Sequence, residues 1–192
     1  MAQPGLFDGG RRRLLDDASG CIEYRPGWAA PGDAQRWFDA LRRTVPWRAQ
    51  RRLMYEREVD VPRLLASYRL PGPLPPALAE IAARIAAEED TPYDSVGLNL
   101  YRDRNDSVAP HQDRLHELVA GQPILLVSLG ATRRMVIRAR PPPRRRLEID
   151  LEAGSVLLMS YATQLHYEHG IPKQRTPVGE RISLAFRVRG TG

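Results

Sequence analysis

Side chains with metal-binding chemistry lie in the C-terminal half of the chain. His111 and Asp113 are separated by one residue, so extended backbone would place their imidazole and carboxylate on the same face. His166 and His169 follow further along, and spacing alone does not choose between them. Two imidazoles and one carboxylate on one face of a metal leave three coordination positions open, as expected for a reactive Fe(II) centre. A 2-oxo acid could chelate two of these positions and dioxygen could take the third.

The segment 181–188 places two arginines on one strand face. It alternates apolar and polar side chains, which is the pattern of a strand between two different layers. Ile182, Leu184, Phe186 and Val188 would face one layer, while Arg181, Ser183, Ala185 and Arg187 would face the other. A guanidinium group meets a carboxylate with two parallel hydrogen bonds, so the two arginines could clamp a compact dicarboxylic acid. Taken alone, the segment also fits an edge strand with solvated arginines.

Several motifs in a fixed order give the chain a resemblance to a known family. They are Val45-Pro46-Trp47-Arg48, Pro62-Arg63-Leu64, Asn99-Leu100-Tyr101, His111-Gln112-Asp113, Ser128-Leu129-Gly130-Ala131-Thr132-Arg133, Gly154-Ser155-Val156-Leu157-Leu158-Met159, His169-Gly170-Ile171-Pro172 and the strand from Arg181 to Arg187. Together they resemble the AlkB family of Fe(II)- and 2-oxoglutarate-dependent dioxygenases, which remove alkyl groups from nucleic-acid bases. The resemblance extends from about Val45 to Arg189. The last strand is similar to the family's RxNLTFR segment, with Ser183 in place of the asparagine.

The resemblance implies a metal centre and its co-substrates. His111, Asp113 and His169 would be the catalytic residues that hold Fe(II), because the family's distal histidine precedes a Gly-Ile pair as His169 does. His166 would then be a neighbour, and His116 is expected to be a polar surface residue. The implied co-substrates are 2-oxoglutarate and dioxygen.

The same comparison implies which residues bind 2-oxoglutarate. The predicted residues are Asn99, Tyr101, Arg181, Ser183 and Arg187. Arg181 would bind the far carboxylate with help from Asn99 and Tyr101, which share one strand face. Arg187 would lie near the carboxylate that chelates the metal. A serine hydroxyl can replace one hydrogen bond of an asparagine amide but not two, so Ser183 predicts a weaker hold on the co-substrate.

Two segments depart from the family's pattern at the positions with which the family recognises the substrate base. Arg114-Leu115 follows Asp113, whereas the family has acidic residues there, one of which contacts the exocyclic amine of the flipped base. The family's aromatic lid is represented by the segment 68–76, in which Tyr68 is the single aromatic residue. Because a flipped base is gripped by stacking and by edge hydrogen bonds, Tyr68 and Arg114 are candidate substrate contacts.

Two arginine-rich segments predict a polyanionic partner. The segment 138–146 surrounds three prolines with arginines, which indicates an extended loop. Its Arg144, Arg145 and Arg146 could grip a phosphate backbone, although a solvated hairpin loop would look the same. The segment 48–57 interleaves arginines with Tyr55 and predicts a similar contact. A net charge of +6 and a pI of about 10.0 agree with a nucleic-acid partner.

Composition predicts one globular domain. The chain has 192 residues, of which 42% are hydrophobic and 27% charged. Its single cysteine, Cys21, excludes an internal disulfide, and no apolar run is long enough for a membrane span. We therefore expect a cytoplasmic monomer without membrane association. The expected organisation is a mobile N-terminal arm (1–20) and one AlkB-like dioxygenase domain (21–192), with helices and a nucleotide lid over 21–93 and a jelly-roll core over 94–192.

Periodicity predicts helices first and strands afterwards. Asp33 is the expected N-cap of a first helix, with Trp37, Phe38 and Leu41 at helical spacing, and a second helix is expected over 76–89. Strands are expected over 95–101, 124–130, 133–139, 146–151, 155–160 and 181–188. This order indicates an α+β fold. The resemblance makes it a double-stranded β-helix (jelly-roll) with N-terminal helices packed on the outside.

Three functions fit the sequence. The first is oxidative dealkylation of N-alkylated bases in nucleic acid, which repairs alkylation damage in DNA. The second is a 2-oxoglutarate-dependent hydroxylase or demethylase of a protein or small molecule, for which Arg114-Leu115 and the reduced lid argue. The third is a non-catalytic, basic nucleic-acid-binding module. Succinate formation separates the third from the others.

Overall fold

Two antiparallel sheets make up most of the chain, whose computed structural model describes residues 10–54, 57–140 and 142–190. The strands are β1 (Arg12–Asp17), β2 (Gly20–Arg25), β3 (Arg48–Met54), β4 (Arg57–Arg69), β5 (Ser95–Tyr101), β6 (Val108–His111), β7 (Ile124–Gly130), β8 (Arg133–Ala139), β9 (Arg146–Leu151), β10 (Ser155–Met159), β11 (Tyr167–Ile171) and β12 (Arg181–Arg187). The helices are α1 (Pro31–Thr44), α2 (Pro76–Glu88) and α3 (Tyr161–His166), with a 3-10 turn at Leu115–Glu117. The large sheet has the order β1-β2-β10-β7-β12-β5-β4-β3, and the small sheet has the order β6-β11-β8-β9.

The outer face of the large sheet packs against the first two helices. Alternate residues of its central strands, such as Leu98, Val127 and Leu184, are buried in one cluster with Trp37 of α1 and Ile81 of α2. The buried residues of the helices recur at intervals of three and four, so each helix presents one apolar stripe to the sheet. This packing fixes the large sheet from outside.

The inner face of the large sheet packs against the small sheet. Tyr101 and Leu126 of the large sheet are buried in a second cluster with Met135, Ile137 and Ile171 of the small sheet. Two sheets with an apolar layer between them and helices outside form the predicted jelly-roll, and the fold class is therefore confirmed. No helix in the described part of the chain is long and apolar enough to cross a membrane.

The predicted core strands are confirmed, whereas the N-terminal predictions need correction. Strands β5, β7, β8, β9, β10 and β12 lie where alternation predicts them. Residues 12–25 form the β1–β2 hairpin at an edge of the large sheet, so the prediction of a mobile arm over 1–20 is wrong for residues 12–20. Arg13 forms salt bridges with Asp16 and Glu23 within this hairpin. Strands β1 to β4 also precede β5, so helices do not simply come first.

The first helix begins earlier than predicted. Pro31 occupies the first turn, and Ala30 is the cap residue, which makes no side-chain cap bond. Proline is favoured there because its missing N–H would have no partner within the helix. Asp33 lies inside the first turn, where its negative charge suits the helix dipole. The second helix ends at Glu88, in agreement with the prediction.

Candidate active site

Strands β6 and β11 bring two histidines together. His111 and His169 are partners in the antiparallel register, and their ring centroids are 4.6 Å apart. Asp113 lies just beyond the end of β6, and one candidate ligand atom from each of the three residues lies within 4.8 Å of the others. His166 lies in α3, outside this group. The structure therefore places the three predicted metal ligands in one cluster.

The two imidazoles are suited to bind a cation. Burial, with a contribution from nearby His111, lowers the pKa of His169 to about 4, so this ring is neutral at physiological pH. The Nδ1 of His111 lies 3.0 Å from the carbonyl oxygen of Ala109, which can only accept a hydrogen bond. Nδ1–H is therefore the donor in this contact, and Nε2 is the nitrogen directed toward the cluster, 3.7 Å from Asp113 Oδ1.

An arginine from β12 holds the carboxylate of this cluster. Burial alone would raise the pKa of Asp113, but Arg187 donates from Nε to Oδ2 at 2.7 Å and holds the pKa below its usual range. The pair leaves Oδ1 directed toward His111. The side chain of Arg187 is thus engaged with Asp113, whereas the sequence suggested a clamp in which Arg181 and Arg187 lean toward each other. Of these two arginines, Arg187 has a carboxylate partner and Arg181 has none among the described residues.

Arg181 is a buried cation with unmet hydrogen-bonding capacity. Its side chain is 1% exposed, and Nη2 donates to Ser128 Oγ at 2.9 Å. Its Nε and Nη1 are buried without a hydrogen-bond partner in the described part of the chain. Burial lowers the pKa of Arg181, and no described carboxylate offsets this cost. Because buried donors are normally satisfied, these two atoms fit an anionic ligand such as the far carboxylate of 2-oxoglutarate.

The strand register places the other predicted co-substrate residues beside Arg181. In the β5–β12 pair, Arg181 is opposite Tyr101 and Ser183 is opposite Asn99. The guanidinium carbon of Arg181 is 5.3 Å from the centroid of the Tyr101 ring. Arg133, which is fully buried, lies 5.5 Å from the same ring. All five predicted 2-oxoglutarate residues line one cavity with the histidines and Asp113.

This cavity has a volume of about 1440 Å³, and its lining includes residues of β3 and β4 and of the segment after β6. Arg63 of β4 lines it and donates from Nε to Asn99 Oδ1 at 2.8 Å, an interaction that sequence reasoning did not assign. The Pro62-Arg63-Leu64 motif and the alternation of β4 are the signals that could have found it. The bond fixes the Asn99 amide oxygen and leaves its NH₂ group for another acceptor.

The mouth of the cavity carries an acidic residue that the sequence analysis missed. Arg114, a candidate substrate contact, lines the cavity, and its Nη1 donates to Glu117 Oε1 at 2.8 Å. Arg189 lies 2.9 Å from the other carboxylate oxygen. The hydrogen bond from Arg114 holds the pKa of Glu117 below its usual range, so the carboxylate is ionised. The 3-10 turn thus brings a carboxylate to the mouth although none directly follows Asp113.

The other predicted substrate residues fall in three places. Tyr68 lines the main cavity. Tyr55 lies outside the described residues. Arg144, Arg145 and Arg146 line a second, separate cleft of about 530 Å³ together with Arg138, Arg140 and Glu168.

A close approach between β6 and β11 keeps the two histidines in register. A Cβ atom added at Gly170 would lie 2.8 Å from the carbonyl oxygen of Val108 and 3.0 Å from the nitrogen of Pro110. Gly170→Ala should therefore separate the strands and cost about 1–3 kcal/mol, or roughly 2–12 °C in Tm for a chain of this size. We expect Mn²⁺ affinity to fall in the same variant.

The matched control is Gly179→Ala, whose new methyl group would meet only Ala131 Cβ at 3.6 Å. Thermal unfolding and Mn²⁺ titration of both variants test the prediction. Equal Tm values and equal affinities in the two variants would contradict the proposed constraint on the strands.

Comparison with known proteins assigns the chain to a family. The family model of the 2OG-Fe(II) oxygenase superfamily matches residues 22–187. The chain belongs to this superfamily. A 2OG-Fe(II) oxygenase family oxidoreductase from Burkholderia pseudomallei has a similar solved structure, with a TM-score of 0.62 and 16% identity over 89% of this chain and 86% of that one. At this identity the likeness shows the fold alone.

Curated relatives confirm the resemblance to AlkB proteins within the superfamily. The chain is 31% identical to the bovine alpha-ketoglutarate-dependent dioxygenase alkB homolog 3, over 85% of this chain and 64% of the relative. It is 34% identical to the bovine DNA oxidative demethylase ALKBH2, over 61% of this chain and 45% of the relative. The chain thus spans less than two thirds of the length of these relatives.

Proposed function

We propose that this chain is an Fe(II)- and 2-oxoglutarate-dependent dioxygenase that removes alkyl groups from N-alkylated bases in nucleic acid. The observation that carries the proposal is a metal-ligand cluster and a buried arginine with two unmet donors in one cavity. The printed names of the relatives, a dioxygenase and a DNA oxidative demethylase, support the same activity. The free thiol of Cys21 supports a reducing compartment, and we propose the cytoplasm.

In this proposal, His111, Asp113 and His169 hold the iron. Arg187 keeps Asp113 ionised and oriented, with one oxygen left for the metal. When bound, the iron and 2-oxoglutarate supply the activation of dioxygen needed to oxidise an N-alkyl carbon. The protein contributes ligand geometry and a cavity that shields the reacting atoms from water.

The remaining residues of the cavity bind and orient the two organic substrates. Arg181 binds the far carboxylate of 2-oxoglutarate through its unmet donors, with Asn99, Tyr101 and Ser183 around it. Hydroxylation of the N-methyl carbon allows its bond to nitrogen to break, which releases formaldehyde and the unalkylated base. The 2-oxoglutarate leaves as succinate and carbon dioxide. No protein nucleophile takes part.

The substrate base would enter the same cavity from the mouth. Tyr68 offers an aromatic face for stacking, and the ionised carboxylate of Glu117 offers an acceptor for an exocyclic amine. Arg114 and Arg189 hold that carboxylate from two sides, which fixes its direction. These contacts support a nucleobase as the substrate despite the Arg114-Leu115 departure.

The experiment that tests this function is a product assay with an oligonucleotide carrying N-methylated bases. We expect one formaldehyde for each succinate formed above the level of the unmethylated control, and neither product above background with Asp113→Ala. An unmethylated oligonucleotide of the same sequence is the control. Succinate without formaldehyde from the methylated oligonucleotide would favour a protein or small-molecule substrate. The absence of both products from the wild type would favour a non-catalytic binding module.

The arginine-lined cleft predicts how nucleic acid binding depends on salt. Arg145 is paired with Asp17 and Arg146 with Glu148, while Arg144 is exposed. Exposed pairs are weak, so phosphates could displace these carboxylates. Replacing all three arginines with glutamine should weaken oligonucleotide binding across sequences and reduce its salt dependence by about three counterions. If the two ion pairs persist in the complex, the reduction should be about one, as in Arg144→Gln alone.

Binding curves at several salt concentrations give the result directly. Turnover of 2-oxoglutarate without nucleic acid should change little, because the cleft is separate from the main cavity. An identical salt slope in the wild type and the triple variant would contradict the phosphate contact.

A further inference from the structure

Gln164 is a buried polar residue that no part of the proposed reaction uses. It lies in the short helix α3, and its side chain is 1% exposed. Its Nε2 reaches Thr163 Oγ1 at 3.3 Å, and its Oε1 accepts from the backbone N–H of Asp113, also at 3.3 Å. The backbone carbonyl of Gln164 accepts from Gln112 Nε2 at 2.6 Å. Two bonds therefore join one buried residue to consecutive residues of the His111-Gln112-Asp113 segment.

These bonds reach the segment where the sheet no longer holds it. Strand β6 ends at His111, and residues 112–114 have no regular secondary structure. The N–H of Asp113 is therefore outside the strand ladder, and Gln164 supplies its acceptor. Gln112, whose neighbours on both sides are proposed ligands, is held by the carbonyl of the same residue. A carboxylate ligand on irregular backbone needs such support to keep its geometry.

We propose that Gln164 is a positioning residue for the metal centre. Its Oε1 accepts from the backbone N–H of Asp113 and its backbone carbonyl accepts from the side-chain amide of Gln112, and so it presents the Asp113 carboxylate to a metal shared with His111 and His169. The inference rests on the proposed metal ligands. It assigns a separate function to Gln164, whose neutral amide is not one of those ligands. Loss of an outer partner of this kind typically lowers metal affinity by about 10- to 100-fold.

A purely structural role for the same helix can be distinguished. Thr163 anchors α3, because its Oγ1 donates to the carbonyl of Ser160 at 2.6 Å and its methyl group lies against Gly20 of β2. Gln164 points to the metal-ligand segment instead. Removing its acceptor should therefore change metal binding more than folding.

The test measures Mn²⁺ affinity by electron paramagnetic resonance of the free ion, together with Tm of the metal-free protein. Gln164→Met keeps the length of the side chain but removes the acceptor, and we expect Mn²⁺ to bind about 10- to 100-fold more weakly. Gln164→Glu keeps an oxygen acceptor and should recover most of the affinity. Gln35→Met, at an exposed glutamine of α1, is the matched control and should bind Mn²⁺ as the wild type does.

A second variant covers the case in which Gln164→Met does not fold. Gln164→Asn keeps a buried amide but shortens the side chain by one methylene, which takes its oxygen away from the Asp113 N–H, and we expect weaker Mn²⁺ binding there as well. Wild-type affinity in Gln164→Met, or a lower Tm with unchanged affinity, would overturn the proposal for Gln164 alone. Wild-type affinity in Gln164→Asn, if Gln164→Met is unfolded, would overturn it equally. No Mn²⁺ binding by the wild type would instead remove the ligand assignment and this inference together.

Discussion

Each of the single variants His111→Ala, Asp113→Ala and His169→Ala should abolish succinate formation. Each change removes one of three protein ligands, and a metal held by two ligands loses both affinity and geometry. The loss should exceed the roughly 100-fold typical of an outer partner. Asp113→Ala should have an added effect, because it leaves the largely buried guanidinium of Arg187 without its carboxylate partner. Succinate assays and Mn²⁺ titrations of the purified variants measure both effects.

His166→Ala is the matched control for the histidine variants. His166 lies in α3, outside the ligand cluster, and should retain substantial activity and wild-type Mn²⁺ affinity. An inactive His166→Ala together with an active His169→Ala would show that the distal ligand is assigned to the wrong residue.

Arg181→Ala should have the largest effect on 2-oxoglutarate. The variant removes the two buried donors proposed to meet the far carboxylate, and an unpaired carboxylate typically costs about 2–5 kcal/mol, or roughly 30-fold or more in affinity. Arg181→Lys should recover only part of this loss, because an ammonium group lacks the planar fork. The dissociation constant of 2-oxoglutarate, measured with Fe(II) and without oxygen, gives the size of the effect.

Arg134→Ala is a suitable control for this change of charge. Arg134 is an exposed arginine of β8 that pairs with Glu148 and Asp150, and it takes no part in the proposed cavity contacts. Its removal should leave the affinity for 2-oxoglutarate unchanged. Unchanged affinity in Arg181→Ala as well would mean that the co-substrate binds elsewhere.

The sequence predicts those parts of the molecule whose signal is local. Alternation in the segment 181–188 predicts β12 and its two faces, and the structure places Ile182 in the outer cluster and Arg181 at the cavity. The i, i+2 spacing of Asn99 and Tyr101 likewise predicts their shared face. The spacing of the histidines alone does not choose the distal ligand; pairing of β11 with β6 does, because His169 is opposite His111.

Features that arise from contacts between distant segments could not be predicted. Strand β1 carries mostly charged residues and is held by salt bridges and by pairing with β2, so its periodicity looks like that of a solvated arm. Glu117 reaches the cavity mouth only because a 3-10 turn follows Arg114. Gln164 meets Asp113 across fifty-one positions of sequence. In each case the contact depends on the folded arrangement of distant segments and not on residues that are close in the sequence.

The most direct test of the iron and 2-oxoglutarate centre is an anaerobic titration of the protein with 2-oxoglutarate in the presence and absence of Fe(II). We predict that one molecule binds per chain, that Fe(II) tightens binding, and that Asp113→Ala loses this gain. Arg181→Ala should bind more weakly in both conditions, because its contribution does not depend on the metal. Equal affinity with and without Fe(II), or no binding to the wild type, would contradict the proposed centre.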